Sequence, residues 1–130
     1  MRRPPVARPA IAALPVSKIR VVANAALMIA VQAILSLGDR VVVLAPTWPS
    51  LTEIPCALRA LPHRAHLTAT SDGFQLLLDG LLEAITPSTR LVILSSPAIP
   101  TGWTLPAEQP APIFDRCRAV GAWNICDDIY

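Results

Sequence analysis

Lysine is nearly missing from this chain: of its 11 basic residues, ten are arginine and one, Lys18, is lysine. Charge of any kind is scarce, at 15% of residues, and the net charge is +2. The arginines are scattered, with no dense basic patch and no interleaved aromatics, so a nucleic-acid footprint is not expected. The three cysteines, Cys56, Cys117 and Cys126, form no CxxC pair. Reduced, buried, cytosolic thiols are expected rather than a disulfide framework or a zinc site. His63 and His66 lie in a stretch that reads as a strand, which would aim them at opposite faces rather than at one ion. No acid occurs before Asp39, and Val21 to Leu37 is almost wholly apolar, a pattern shared with anchors and transit segments. A spanning helix needs about 20 apolar residues. This run is shorter and is interrupted by Asn24, Gln32 and Ser36. A buried helix of a cytoplasmic protein is the simpler account.

What the chain does have is apolar material, 53% of residues. That is ample for the core of one domain and generous for a sheet covered on both faces. Met1 to Pro15, with four prolines and three arginines, reads as a disordered leader, and residues 16–130 as the folded part. Lys18–Val22 reads as a short strand and Asn24–Leu37 as a helix, with Asn24 as its cap and Gly38 as its stop. Val41–Ala45 and Arg90–Ser95 are apolar runs of the kind buried inside parallel sheets. Leu51–Leu61 reads as a helix disturbed at Pro55, His63–Ala69 as a strand, Ser71-Asp72-Gly73 as a turn and Gln75–Ile85 as a helix. Pro106–Val120 reads as a helix that Pro112 delays or kinks, because proline is accepted in the first turn and costs about 3 kcal/mol deeper in. Ala122–Cys126 reads as the last strand. Helices alternating with apolar strands predict an α/β three-layer sandwich with a mostly parallel sheet.

Four short motifs punctuate these elements. They are Leu37-Gly38-Asp39-Arg40, Pro46-Thr47-Trp48-Pro49, Ser95-Ser96-Pro97-Ala98-Ile99-Pro100-Thr101-Gly102-Trp103 and Asp127-Asp128-Ile129-Tyr130. In this order and spacing, over roughly Leu14 to Tyr130, the chain resembles the large domain of the class I/II aminotransferases. These are fold-type I enzymes that use pyridoxal phosphate. The resemblance implies amino-group transfer between an amino acid and a 2-oxo acid, with the cofactor acting as an electron sink. Members are usually dimers, so a homo- or hetero-dimer is implied as well.

The resemblance also assigns roles. Asp127 falls on the acid that pairs with the protonated ring nitrogen, at the carboxyl end of a strand where α/β sheets bind ligands. An acidic pair at a strand end would, alone, read as solvated; the upstream motifs favour the functional role. Tyr130 falls on the tyrosine that hydrogen-bonds the phenolic oxygen. Trp48 falls on the aromatic residue that stacks on the ring, although a core tryptophan is an equal reading of that residue by itself. The phosphate turn maps onto Val21–Ala25, where the Asn24 side chain and the Ala25 amide are the donors left, since Val22 and Ala23 stand where a hydroxyl and a glycine are usual. Ile99 stands where the family has an asparagine and cannot donate a hydrogen bond. The family lysine that carries the cofactor lies downstream of the Asp-x-x-Tyr motif, and Lys18 matches no family lysine. The expectation is a truncated large domain that is inactive alone, the alternative being a non-catalytic binding or assembly module from the same family.

Overall fold

The computed structural model describes residues 18–128. The leader read over Met1–Pro15 and the tyrosine at 130 lie outside the described residues. The described chain runs α1 (Lys18–Ile34), β1 (Arg40–Ala45), α2 (Ser50–Ala57), β2 (Leu61–His66), β3 (Thr68–Thr70), β4 (Gly73–Gln75), α3 (Leu78–Ala84), β5 (Thr89–Ser95), α4 (Pro110–Val120) and β6 (Trp123–Asp127). Four strands form a wholly parallel sheet in the order β2-β1-β5-β6, and β3 and β4 form a separate antiparallel pair.

Burial follows from the alternation of side chains along β1 and β5. Val41, Val43, Leu91 and Ile93 face one way and pack with Val31 of α1, Leu35 just after it, and Leu51 and Ile54 of α2. Val42, Leu44, Val92 and Leu94 face the other way and pack with Leu81, Ile113 and Cys117 from α3 and α4. Both faces of the central strands are therefore covered, which is why these strands are uninterrupted apolar runs. The result is the expected three-layer α/β sandwich. β2 and β6 form the sheet edges and are more exposed. His63 and His66 on β2 are both exposed, and among the described residues no three His, Cys, Asp or Glu side chains group as a metal site. No helix among the described residues is long and apolar enough to cross a membrane.

Three arginines brace the fold. Arg90 Nε donates to the Ile34 carbonyl at the end of α1 (3.2 Å), and Arg40 donates to the Ala84 carbonyl at the end of α3 (3.1 Å). A cation on the last carbonyls of a helix satisfies orphan acceptors and opposes the negative end of the dipole. Arg116 Nε donates to the Ile85 carbonyl (2.9 Å).

Several boundaries differ from the sequence reading. Lys18–Val22 is helix, not strand. No proline or glycine separates it from the alanine-rich segment that follows, and extending a formed helix needs one further bond per residue. Asn24 consequently lies inside α1 rather than capping it. α1 stops at Ile34, where the Asp39 carboxylate accepts from the Ser36 N–H (2.8 Å) and shapes the turn into β1. α2 ends at Ala57, because Arg59 takes a left-handed φ of 58° and Leu61 must pair with Arg40. The strand read over His63–Ala69 breaks at Leu67, and Gln75 belongs to β4 instead of the helix that follows. α4 starts at Pro110, so both Pro110 and Pro112 sit in its first turn, where a missing N–H costs nothing. It closes on Gly121, whose φ of 75° suits a residue without Cβ.

Candidate functional site

The sheet changes direction between β1 and β5: β1 leads outward to β2, while β5 leads the other way to β6. The carboxyl ends of strands flanking such a reversal form the crevice in which open α/β sheets bind ligands. At that end a cleft of about 350 Å³ is lined by Asn24 and Leu27 of α1, Trp48 after β1, Ile125 and Asp127 of β6, and Asp128 beyond it. Three of the residues singled out from the sequence, Asn24, Trp48 and Asp127, therefore meet in one place.

Each is positioned by local structure. Pro46 and Pro49 bracket Trp48, and its indole N–H donates to Ser50 Oγ (3.0 Å) in the first turn of α2. The ring packs against the cluster on the α1 face of the sheet. Asp127 is the last residue of β6 and sits opposite Ser95 of β5. The Ser96 N–H donates to the Asp127 carbonyl (3.1 Å), which closes the strand end. Period-two alternation puts the Asp127 side chain on the same face as Ile125, toward α1.

Burial pushes the Asp127 carboxyl above its ordinary range, and the neighbouring Asp128 charge adds to the effect. The protonated form is thus favoured by folding. Its contribution to stability is full below the ordinary carboxylate pKa and is lost as pH rises through the raised value. In urea unfolding across that window, Asp127→Asn should flatten the fall in stability with pH relative to the parent chain. Parallel curves for the two proteins would show that Asp127 does not sense its burial.

Other sequence-derived residues fall elsewhere. Ala25 does not line the cleft, and its amide lies inside the hydrogen-bond ladder of α1. Ile99 is exposed and outside the cleft. The turn around it is formed all the same: Gly102, with φ of 70°, donates its N–H to the Ala98 carbonyl (2.7 Å), and the Ala98 N–H donates to the Trp103 carbonyl (2.8 Å). Trp103 is buried in the core beside α4. Two supporting residues were missed in the sequence, Ser50 as the indole's acceptor and Ser96 as the amide closing β6. Ser50 had a readable signal, a serine beginning a helix two residues after the ring; Ser96 had none beyond its place after an apolar strand.

A family profile described as aminotransferase class I and II matches residues 21–130. The chain belongs to this family. It is 31% identical over 110 residues to an arginine–pyruvate transaminase of Pseudomonas aeruginosa, covering 83% of this chain and 27% of that one. The solved N-succinyldiaminopimelate aminotransferase of Mycobacterium tuberculosis superposes with a TM-score of 0.75 at 31% identity, over 80% of this chain and 27% of that one. Cystalysin of Treponema denticola, described as containing a pyridoxal 5'-phosphate cofactor, shares the fold with a TM-score of 0.76 at 16% identity, over 84% of this chain and 28% of its own. The chain thus spans about a quarter of the length of the relatives it matches.

Among the described residues the lining offers more to the ring of that cofactor than to its phosphate. A flat cationic ring finds an aromatic side chain and an acid short of charge partners. A phosphate wants free helix N-terminal amides, hydroxyls or cations. Within α1 the amides of Ala23, Asn24 and Ala25 are already engaged, and among the described residues no arginine or lysine lines the cleft.

Proposed function

We propose that the Trp48–Asp127 cleft binds a flat, protonated pyridine ring. The chain supplies the ring-holding part of an aminotransferase whose reaction moves an amino group between an amino acid and a 2-oxo acid. The supporting observation is the convergence of an indole held after β1 and a partly buried carboxylate ending β6 on one cleft at the carboxyl edge of the sheet. The indole supplies a π surface matched to a heteroaromatic ring. The carboxylate would keep the ring nitrogen protonated by pairing with it, and the apolar side chains around them weaken competition from water. The only lysine is Lys18, ahead of the cleft residues at the start of α1. We therefore propose that the 130 residues by themselves do not turn over substrate, for want of an amine placed to act as nucleophile and base.

Titration of the purified chain with pyridoxamine should quench tryptophan emission saturably, and Trp48→Leu should remove that response while Trp103 and Trp123 still emit. Quenching that survives the substitution would place the ring elsewhere. Steady amino transfer from an amino acid to a 2-oxo acid by the 130-residue chain would overturn the second part of the proposal.

A further inference from the structure

We infer that Asp72 is a modification site: its side chain cyclises onto the Gly73 amide, and the chain there converts to an isoaspartyl linkage. This chemistry is independent of what the Trp48–Asp127 cleft binds.

The Gly73 nitrogen attacks the side-chain carboxyl carbon of Asp72. An N–C bond forms, a C–OH bond breaks, and the amide proton and the hydroxyl leave together as water. The five-membered succinimide then takes back one water. Opening at the side-chain carbonyl restores aspartate, whereas opening at the main-chain carbonyl leaves the backbone running through the side chain. The step is fastest where the next residue has no Cβ and the backbone is free to turn its nitrogen onto the carboxyl.

The sequence holds two Asp-Gly steps, Asp72-Gly73 and Asp79-Gly80, and both are exposed. A Cβ added at either glycine would meet nothing within 4 Å, so crowding does not separate them. The backbone does. Asp72 lies in the turn between β3 and β4, where Thr70 pairs with Gly73 and Gly73 has a φ of 121°. Those two strands form a sheet of their own, three residues to a side and all exposed. An isolated two-stranded hairpin is marginally stable in water, so this turn opens at little cost. The Asp72 carboxyl accepts a long bond from Ser71 Oγ (3.4 Å), too weak to hold it in place. Asp79 lies in α3, where the N–H of the buried Leu81 donates to the Leu77 carbonyl (3.3 Å) across it. Swinging the Gly80 amide onto the Asp79 carboxyl would break that helical turn and pull Leu81 from the core.

An isoaspartyl residue adds one backbone carbon to a two-residue turn. Thr70 and Gly73 then no longer meet in register, and the bond from Thr70 Oγ1 to the Gly73 carbonyl (3.0 Å) is lost. Asp72, Gly73 and Phe74 also line a cleft of about 490 Å³ with Thr101 and Trp103 of the third motif, so the change falls on that wall.

The test ages the purified 130-residue chain at neutral pH, in native buffer and in concentrated urea. Isoaspartyl groups are then labelled with an isoaspartyl carboxyl methyltransferase and a radioactive methyl donor, and peptide mapping locates the label. In native buffer the label should grow with time. Asp72 should carry about tenfold more of it than Asp79, since release of a buried leucine is the least that reaction from α3 requires. Asp72→Glu should remove nearly all of this label, because a glutamyl side chain would have to close a larger ring, and Asp79→Glu should leave it unchanged. In urea the two steps should label alike. Equal labelling in native buffer, label that survives Asp72→Glu, no label after ageing, or an Asp79 step still silent in urea would each overturn the inference.

Discussion

Replacing Asp127 with alanine should weaken ring binding by about 2–3 kcal/mol, or roughly 30- to 150-fold in Kd. The carboxylate closes β6 on the face turned toward α1, and burial already raises its pKa. Its charge is therefore poorly satisfied in the free chain, and a pyridinium would gain most of what water has given up. Asp127→Asn keeps the shape, removes the charge, and should lose nearly as much. Lys18→Ala should leave affinity unchanged, since no role in the cleft is assigned to that residue. Affinity should also rise as pH climbs through the raised pKa of Asp127, because the ionised acid is the form that pairs, and should fall again once the ring loses its proton. Isothermal titration with pyridoxamine measures all of these. If Lys18→Ala abolished binding and Asp127→Ala did not, the site assignment would be wrong.

Ile93→Ala should unfold the chain or come close to it. Ile93 has no exposed surface, lies in the middle of β5, and pairs with Val43 on one side and Ile125 on the other. Truncating a fully buried isoleucine costs about 2–5 kcal/mol through lost burial and the cavity left behind. Whole domains are stable by only about 5–15 kcal/mol, and a four-stranded parallel sheet with two exposed edges has little in reserve. The expected result is loss of the cooperative thermal transition in circular dichroism. Leu37→Ala, at a side chain 74% exposed, should shift the midpoint very little. A sharp transition near the parental temperature for Ile93→Ala would mean that the β1–β5 core is not what holds the fold together.

The contrast between these positions shows what could be read in advance. β1 and β5 were legible because burial on both faces demands a continuous apolar run, and few other elements leave that mark in so few residues. Trp48 was legible because it follows such a run, and Asp127 because it ends the short Ala122–Cys126 stretch in register with the upstream motifs. The β3–β4 pair was not, since Thr68–Thr70 and Gly73–Gln75 are exposed on every residue and carry no burial pattern. Only the turn at Ser71-Asp72-Gly73 betrayed it. The start of α1 was obscured by Val21 and Val22, whose β-branched side chains suggest strand in isolation, whereas the helix that absorbs them is fixed by the alanines, Leu27 and Val31 further on. That error moved the phosphate turn, because a helix entered six residues earlier presents its side, not its end, to the cleft. The third motif shows a further separation: its turn persists through Gly102 and Trp103 although Ile99 has no polar group to offer.

The two principal walls of the cleft belong to layers of unequal security. Trp48 hangs from β1, bonded to a neighbour on both sides, whereas Asp127 ends β6, which among the described residues is bonded only to β5 and leaves Trp123 more than half exposed. Edge strands open more readily than central ones. A ring seated between them would act as a clasp, stacked on the fixed wall and ion-paired to the loose one. Occupancy would then be felt as slower fraying of the outermost strand, with the interior of the sheet hardly registering it.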